Sequence, residues 1–273
     1  MKKTIHKPTV FIFLFLLIAA VCNAQKLPSV QQNGLRAPVN IKIDGKTTEW
    51  DNTFQAYNNA TDIFYTLAND DENLYFTVQA TDIDIINRIA GGGITLVIPR
   101  SGKKNDKDVM TVTYPLIDKK ASLVFLRPRK GSIPDTSIRA LDSVVRKRNA
   151  SLNEKVKWIG VTGIAGIDSL ISVYNEDGIK VAESFNRSGA YTFEMAISLK
   201  KLGLSVDNAS KFNYHVISNG AKGAASMSIG PPAANSTPEQ VAFIEKMSAS
   251  MNVYVAKLSA PTDFWGEYTL VKK

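Results

Sequence analysis

The fold is decided by a polar turn and the strand that follows it, which together read NDDENLYFTVQA from Asn69 to Ala80. Residues Asn69 to Asn73 have the composition of a hairpin turn. From Leu74 onward, small or aliphatic residues alternate with Tyr, Thr and Gln, and this period of two is typical of a half-buried strand. The stretch therefore predicts one hairpin of an antiparallel sheet.

Further short strands between turn residues are predicted along the rest of the chain. They are Ile41 to Ile43, Ile63 to Leu67, Ile94 to Ile98, Val109 to Tyr114, Leu123 to Leu126, Lys157 to Ile164, Ser169 to Tyr174, Gly189 to Ile197, Lys211 to Ser218, Val253 to Ala256 and Gly266 to Val271. Two helices are predicted, one over Thr136 to Leu152 and one starting at the capping box Thr237-Pro238-Glu239-Gln240. This spacing predicts a mainly all-β fold, an antiparallel β-sandwich with two helical insertions.

The composition is that of an ordinary globular protein, with 273 residues, 44% of them apolar and 21% charged. Such a chain is long enough to bury a core and is far from the composition of disordered segments. One Cys and two His exclude a thiolate zinc site and a three-histidine zinc site.

The first residues are typical of a secretory signal peptide. Lys2, Lys3 and Lys7 precede an apolar run from Val10 to Val21, which is too short for a comfortable membrane anchor. We place the cleavage after Ala24, which leaves 30 basic and 25 acidic residues. The sequence therefore predicts an exported protein, periplasmic or secreted and not membrane-spanning.

The alternative is a lipoprotein acylated at Cys22, although Val21 is large for the position before such a cysteine. The predicted domain organisation is a signal peptide over residues 1–24, an irregular leader over 25–35 and a single β-sandwich domain over 36–273.

Three segments together suggest a family: IKIDGKTTEW from Ile41 to Trp50, DENLYFTVQATD from Asp71 to Asp82, and YTFEMAISLKKLGL from Tyr191 to Leu204. In this order they resemble the carbohydrate-binding module family 9-like group, within the wider DOMON-like sandwiches. The segments from Phe212 to Asn219 and from Phe264 to Leu270 also fit the later strands of that group. The resemblance implies a β-sandwich that binds carbohydrate.

The resemblance also implies a sugar site, from which this chain departs. Sugar-binding members hold a glycan end between two tryptophans, with acidic side chains near calcium. The corresponding stretches here are Asn87 to Ile98, which includes Arg88, and Asn219 to Ala225, and neither holds a tryptophan. Since stacking on an aromatic ring is a major source of sugar affinity in water, the usual site and its calcium are placed in doubt.

Trp50 and Glu194 belong to the family-like segments, and both have a structural interpretation. An indole buries much apolar area, so Trp50 is predicted to plug the core rather than to form a sugar platform. Glu194 alternates with Phe193 and Met195 on a strand, which indicates a solvated or hydrogen-bonded strand position rather than a ligand.

The charge is most uneven between Lys119 and Lys157. This stretch carries eleven basic residues, namely Lys119, Lys120, Arg127, Arg129, Lys130, Arg139, Arg146, Lys147, Arg148, Lys155 and Lys157, against three acidic ones. It could attract an anionic envelope polymer, although a solvated helix face is the simpler interpretation. Trp158 follows directly, and with Tyr114 and Arg127 as neighbours it is the candidate replacement platform.

No catalytic centre is predicted. A triad would need His215, which on an apolar strand is better explained as a structural residue. Haem ligation by His215 with Met195, Met227, Met247 or Met251 is disfavoured, because Met is a common core filler. Asp82 with Asp84, and Asp70 to Glu72, form turn clusters without the pattern of a glycosidase pair, so calcium is left open.

We therefore expect an exported non-catalytic binding module for a glycan or surface polysaccharide, with no nucleic-acid partner. The candidate ligand-binding residues are Trp158, Tyr114, Arg127, Arg88 and Asn219. The alternative is an accessory cell-envelope protein that keeps the sandwich and has lost the sugar site.

Overall fold

The computed structural model describes residues 26–117, 137–208, 210–222 and 228–273. In chain order its strands are β1 (Ala56–Asn58), β2 (Ile63–Asn69), β3 (Asn73–Ala80), β4 (Ile94–Pro99), β5 (Val109–Ile117), β6 (Val156–Thr162), β7 (Leu170–Ser172), β8 (Ile179–Phe185), β9 (Tyr191–Ser198), β10 (Lys211–Ser218) and β11 (Thr262–Thr269). They form two antiparallel sheets, ordered β1-β2-β3-β9-β8 and β11-β10-β4-β5-β6-β7. The predicted all-β sandwich class is confirmed.

The two sheets face each other across one apolar core. Tyr65 of β2 and Tyr214 of β10 share a hydrogen bond between their hydroxyls at 3.0 Å. Tyr114 of β5 meets Phe193 of β9 edge to face at 5.7 Å between ring centroids. Each such ring is fully buried and contributes roughly 1.5–3 kcal/mol through the apolar area it removes from water.

The hairpin that decides the fold forms as predicted between β2 and β3. The Asp70 amide donates to the Asn73 carbonyl at 3.1 Å, and the Asp70 carboxylate accepts from the amides of Glu72 and Asn73 at 2.8 and 2.6 Å. The side chain therefore closes the turn from within, as Asp does in turns of this kind.

Three α-helices lie in the described residues: α1 (Ile83–Gly92), α2 (Ile138–Lys155) and α3 (Pro238–Ser259). The two predicted helices are α2 and α3, and α3 begins at the expected capping box of Thr237 and Gln240. The count of two insertions was wrong, because Asp82 was interpreted as a turn residue. It is instead the N-cap of α1, where its side chain accepts from the amides of Asp84 and Ile85. None of these helices has the length and apolarity needed to cross a membrane.

Two predicted strands were wrong. Val253 to Ala256 lies inside α3, where helical context overrides the strand preference of β-branched residues. Ile41 to Ile43 is not a strand, and its two isoleucines pack instead against the small cluster around Trp50. Leu123 to Leu126 lies outside the described residues, as does the signal peptide. Strands β1 and β8 were not predicted.

Trp50 and Glu194 hold the N-terminal segment against the outer face of the first sheet. Trp50 is 7% exposed and its Nε1 donates to Glu194 Oε1 at 2.9 Å, which confirms the core-plug interpretation. Glu194 is fully buried, and its Oε2 accepts from the amides of Asp44 and Gly45 at 3.1 Å each. Its hydrogen-bonded interpretation is confirmed, whereas the solvated one was wrong because this segment covers the sheet face.

The Asp44-Gly45 turn is pressed closely against β8. Gly45 has a φ of +75°, and a Cβ there would lie 2.4 Å from the Glu183 carbonyl carbon and 2.6 Å from its Cα. The Gly45 carbonyl also accepts from Ser184 Oγ at 2.7 Å. The turn thus braces β8 from outside.

We expect Gly45→Ala to lower the free energy of unfolding by about 2–4 kcal/mol, because it adds a backbone clash to an unfavourable φ. Urea denaturation measures the change. Gly166→Ala is the matched control, since Gly166 has a φ of +73° with nothing within 4 Å of the added Cβ. It should cost only about 1 kcal/mol. Equal costs at the two positions would contradict the close packing of the turn.

Candidate functional site

A cleft of about 400 Å³ opens around the free edge of β8, where that edge meets the β6–β7 end of the second sheet and helix α2. Its polar lining comes from Asp44, Asn149, Asn153, Tyr174, Glu183 and Ser184, and its apolar lining includes Tyr114, Val156, Val173 and Val181. Clefts of this size between packed elements are typical sites for small ligands.

Glu183 is placed in the cleft by the alternation of β8. Ile179 and Phe185 are buried, and Glu183 has the same parity, so its side chain points between the sheets. It pairs in register with the core residue Phe193 on β9. Its Oε2 is shielded from solvent and has no hydrogen-bond partner among the described residues. A carboxyl oxygen in that state is costly, which is why buried polar groups normally have partners.

Burial raises the pKa of Glu183 to about 8. At neutral pH the group is therefore mostly protonated and can both donate and accept a hydrogen bond. Next to it, the Tyr191 hydroxyl is also buried without a partner in the described part of the chain, and burial raises its pKa well above the ordinary value. Glu183 in the cleft and Tyr191 behind it thus each have a buried oxygen without a partner among the described residues.

Helix α2 forms one wall and is docked by Asn149. The Asn149 side chain donates from Nδ2 to the Phe185 carbonyl at 3.3 Å and accepts at Oδ1 from the Phe185 amide at 2.7 Å. These contacts show that the backbone of Phe185 points to the free edge of β8. By the alternation of an antiparallel ladder, the backbone groups of Val181 and Glu183 point the same way, toward the cleft.

The mouth of the cleft carries an aromatic ring and a cation. Tyr174 follows β7 and is 79% exposed. Lys157 Nζ donates to the Asn153 carbonyl at 2.5 Å and lies 5.8 Å from the centre of the Tyr174 ring. Asn153 and Tyr174 both line the cleft, so Lys157 contacts two of its lining residues.

The structure does not bring the predicted platform residues together. Tyr114 is buried on the inner face of the second sheet, where it reaches the cleft from the core side. Trp158 lies on β6 with the opposite parity to buried Ile159, so it faces the outside of that sheet. Arg127 lies outside the described residues. Lys157, the neighbour of Trp158, contacts the cleft residues Asn153 and Tyr174.

The other two predicted ligand residues have structural contacts elsewhere. Arg88 is buried on α1 and donates to the Lys257 carbonyl at 2.7 Å and to Thr262 Oγ1 at 3.1 Å, which ties the end of α3 to the sandwich. Asn219 donates to the Gly92 carbonyl at 3.0 Å and to Thr95 Oγ1 at 2.9 Å. It borders a separate depression of about 330 Å³ beside Gly160.

His215 contacts an acidic residue and an aromatic ring of the neighbouring strand β11. Its Nε2 lies 2.6 Å from Asp263 Oδ2, and its ring stacks on Trp265 at 4.3 Å between centroids. Met195 is a core residue of the opposite sheet. Within the described ranges, no cluster of three His, Cys, Asp or Glu side chains could hold a metal ion.

Sequence reasoning missed Glu183 because it interrupts the apolar side of β8. The residues IKVAESF from Ile179 to Phe185 place Ile, Val, Glu and Phe at alternate positions. The acidic residue at an inward position obscured the strand, although that exception was itself the available signal of a site.

No protein-family model and no curated protein matches the chain. The class of the protein is thus defined by its own architecture, an all-β sandwich with a cleft at the free edge of one sheet.

Proposed function

We propose that this chain is an exported, non-catalytic binding module for a glycan or surface polysaccharide, and that the cleft at β8 receives part of that glycan. The observation that carries the proposal is the position of Glu183, which lines an open cleft while its shielded Oε2 lacks a partner among the described residues. The side chain is only partly buried, so a ligand hydroxyl could hydrogen-bond the part of the carboxyl group that is open to the cleft.

The surroundings of Glu183 suit a polyhydroxylated ring. Tyr174 offers an exposed aromatic face at the mouth, on which a sugar ring can stack. The backbone groups of Val181 and Glu183 supply donors and acceptors along the free edge of β8. This arrangement combines apolar stacking with a few directed polar groups, as ligand sites commonly do.

The cleft favours binding over hydrolysis. A glycosidase needs two carboxyl groups with separate acid and base or nucleophile roles. The second carboxyl that lines this cleft is Asp44, which is ion-paired with Lys46 at 2.8 Å and also accepts from the Lys46 amide at 3.0 Å. These contacts hold Asp44 as a turn carboxylate, which supports the assignment of a binding module.

A glycan array with the purified protein tests this proposal. We expect binding that falls at least tenfold in Glu183→Ala and in Tyr174→Ala, because the first removes the inner hydrogen-bonding group and the second removes the ring. Trp158→Ala is the matched aromatic control on the outside of the second sheet and should bind as the wild type does. Loss of binding in Trp158→Ala alone would move the site to the outer face.

The alternative, an accessory envelope protein without a sugar site, draws support from α3. Phe243, Met247 and Val253 of this helix are 63%, 45% and 72% exposed, an unusual amount of apolar surface for one helix. If a folded sample of the protein bound no glycan on the array, the result would favour this alternative.

A further inference from the structure

The mouth and the inner end of the cleft carry different charges at neutral pH, and this difference bears on the class of glycan. The choice between glycan classes rests on the proposed function, that the cleft at β8 binds a glycan. At the mouth, Lys157 uses one N–H on the Asn153 carbonyl and keeps two further donors, since an ammonium has three. At the inner end, Glu183 Oε2 is shielded and unpartnered within the described residues.

We propose that the cleft selects an anionic sugar, a uronate or a sulfate ester, whose charge pairs with the Lys157 ammonium while a ring hydroxyl binds Glu183. A cationic ligand would meet the like charge of Lys157 at the mouth. A neutral glycan would leave the remaining donors of the ammonium to water. An anionic group satisfies those donors with a charge-assisted hydrogen bond, the stronger kind.

The charges of the neighbouring elements favour the same ligand. Helix α2 and the start of β6 carry Arg146, Lys147, Arg148, Lys155 and Lys157, against the acidic residues Asp142 and Glu154. On the same helix, the carboxylate of Asp142 is already paired with Arg187 at 2.6 Å. A surface with this excess of one sign raises the local concentration of the opposite charge.

Glu183 does not repel an anionic ligand while it is protonated, and burial raises its pKa to about 8. The titratable groups that line the cleft with it are Asp44, Tyr114 and Tyr174. Three more lie close by: Lys157 beside the Tyr174 ring, Tyr191 within electrostatic reach of Glu183, and Arg148 over the Phe185 ring. Asp44 is paired with Lys46. When Glu183 ionises, it loses its donor and adds a negative charge, so affinity for an anionic sugar should fall as the pH rises through about 8.

Calorimetric titration with matched glycan pairs tests the inference. The probes are oligogalacturonate against its methyl ester, and a sulfated oligosaccharide against its desulfated form. We expect one anionic form to bind about tenfold tighter than its neutral counterpart, and the preference to shrink as salt rises. The pair that shows the preference identifies the anionic group as carboxylate or sulfate.

Lys157→Gln should bring the ratio of the affinities for the anionic and neutral forms close to one, because it removes the charge and keeps most of the side-chain length. Lys211→Gln is the matched control and should keep the preference, since Lys211 is an exposed lysine paired with Glu267 at 2.8 Å on the second sheet. In Glu183→Gln the loss of affinity between pH values of about 6 and 9 should disappear.

The outcomes separate the two proposals. Equal binding of both members of each pair by the wild type overturns the anionic selectivity and leaves glycan binding in place. A preference that survives Lys157→Gln overturns the role of Lys157. Failure of every glycan to bind the folded protein overturns the proposed function itself.

Discussion

Glu183→Gln is expected to stabilise the protein at alkaline pH, by about 2–3 kcal/mol near pH 9. In the folded state burial raises the pKa of Glu183 from the ordinary value of 4.5 to about 8. Between those values the folded chain holds a proton that the unfolded chain has released. The free energy of unfolding therefore falls as the pH rises through this window, and it levels off above about 8.

The magnitude follows from the difference between the two pKa values. Each unit of difference corresponds to about 1.4 kcal/mol, so the full shift would give nearly 5 kcal/mol. We expect about half of that, because the remainder of the Glu183 side chain meets solvent at the cleft and water there screens the charge.

Urea denaturation at pH values of about 5, 7 and 9 measures this effect. The wild type should lose stability across the series, whereas Glu183→Gln should lose much less, and the two should nearly coincide at the lowest pH. Glu176→Gln replaces an exposed carboxyl on the loop before β8 and serves as the control. If the wild type and Glu183→Gln differed by the same amount at all three pH values, burial of an ionisable carboxyl would not be the cause.

Glu194→Ala is expected to lower the free energy of unfolding by about 3–5 kcal/mol. The fully buried carboxylate accepts from Trp50 Nε1 and from the amides of Asp44 and Gly45, at 2.9 to 3.1 Å. Removing it leaves three donors without this acceptor, two of them in buried hydrogen bonds, and opens a cavity beneath the N-terminal segment. Because that segment braces β8 through Gly45 and Ser184, the cleft should loosen as well.

Trp50→Phe measures the contribution of the hydrogen bond separately from that of ring packing. It keeps most of the ring and removes the donor, so we expect a smaller loss of about 1–3 kcal/mol. A double-mutant cycle of Trp50→Phe with Glu194→Ala should show coupling of at least about 1 kcal/mol, as expected for groups in direct contact. Glu72→Ala, at an exposed position in the β2–β3 turn, is the control for removal of an acidic side chain. Strict additivity of the two core substitutions would argue against the bond.

Much of the fold could be predicted because its signals are local. The Asp70 turn, the alternation from Leu74 to Ala80 and the capping box at Thr237 depend on residues that are neighbours in the chain. Where a local signal had two interpretations, the prediction was less secure. Asp82 suits a turn and a helix N-cap equally, and Val253 to Ala256 suits a strand by propensity and a helix by context.

The candidate site could be predicted far less well, because it depends on which strands lie at the sheet edges. The sequence identified the basic stretch around Lys157 and the aromatic residue beside it, but it did not show which of the two faces the cleft. The orientation of Trp158 follows from the pairing of β6 with β7, in which Trp158 lies opposite Ser172 and the buried Ile159 lies opposite the buried Ile171. The pairing of β6 with β5 shifts register beside Lys157, so local sequence alternation does not predict where that side chain points. Glu183 lines a cleft only because β8 is an edge strand that lies against helix α2.

By itself, the sequence determined that this is a mainly β protein. Its strands alternate apolar and polar residues and are connected by polar turns, and the sequence also predicts an export signal and a basic helix. Only the tertiary structure decided that Glu183 points between the sheets, that Lys157 contacts the cleft residues Asn153 and Tyr174, and that Arg88 ties helices together. The physical reason is the distance along the chain between the residues that interact. Turns and helix caps are settled by hydrogen bonds between near neighbours, whereas burial and unpaired polar groups depend on contacts between residues far apart in the chain.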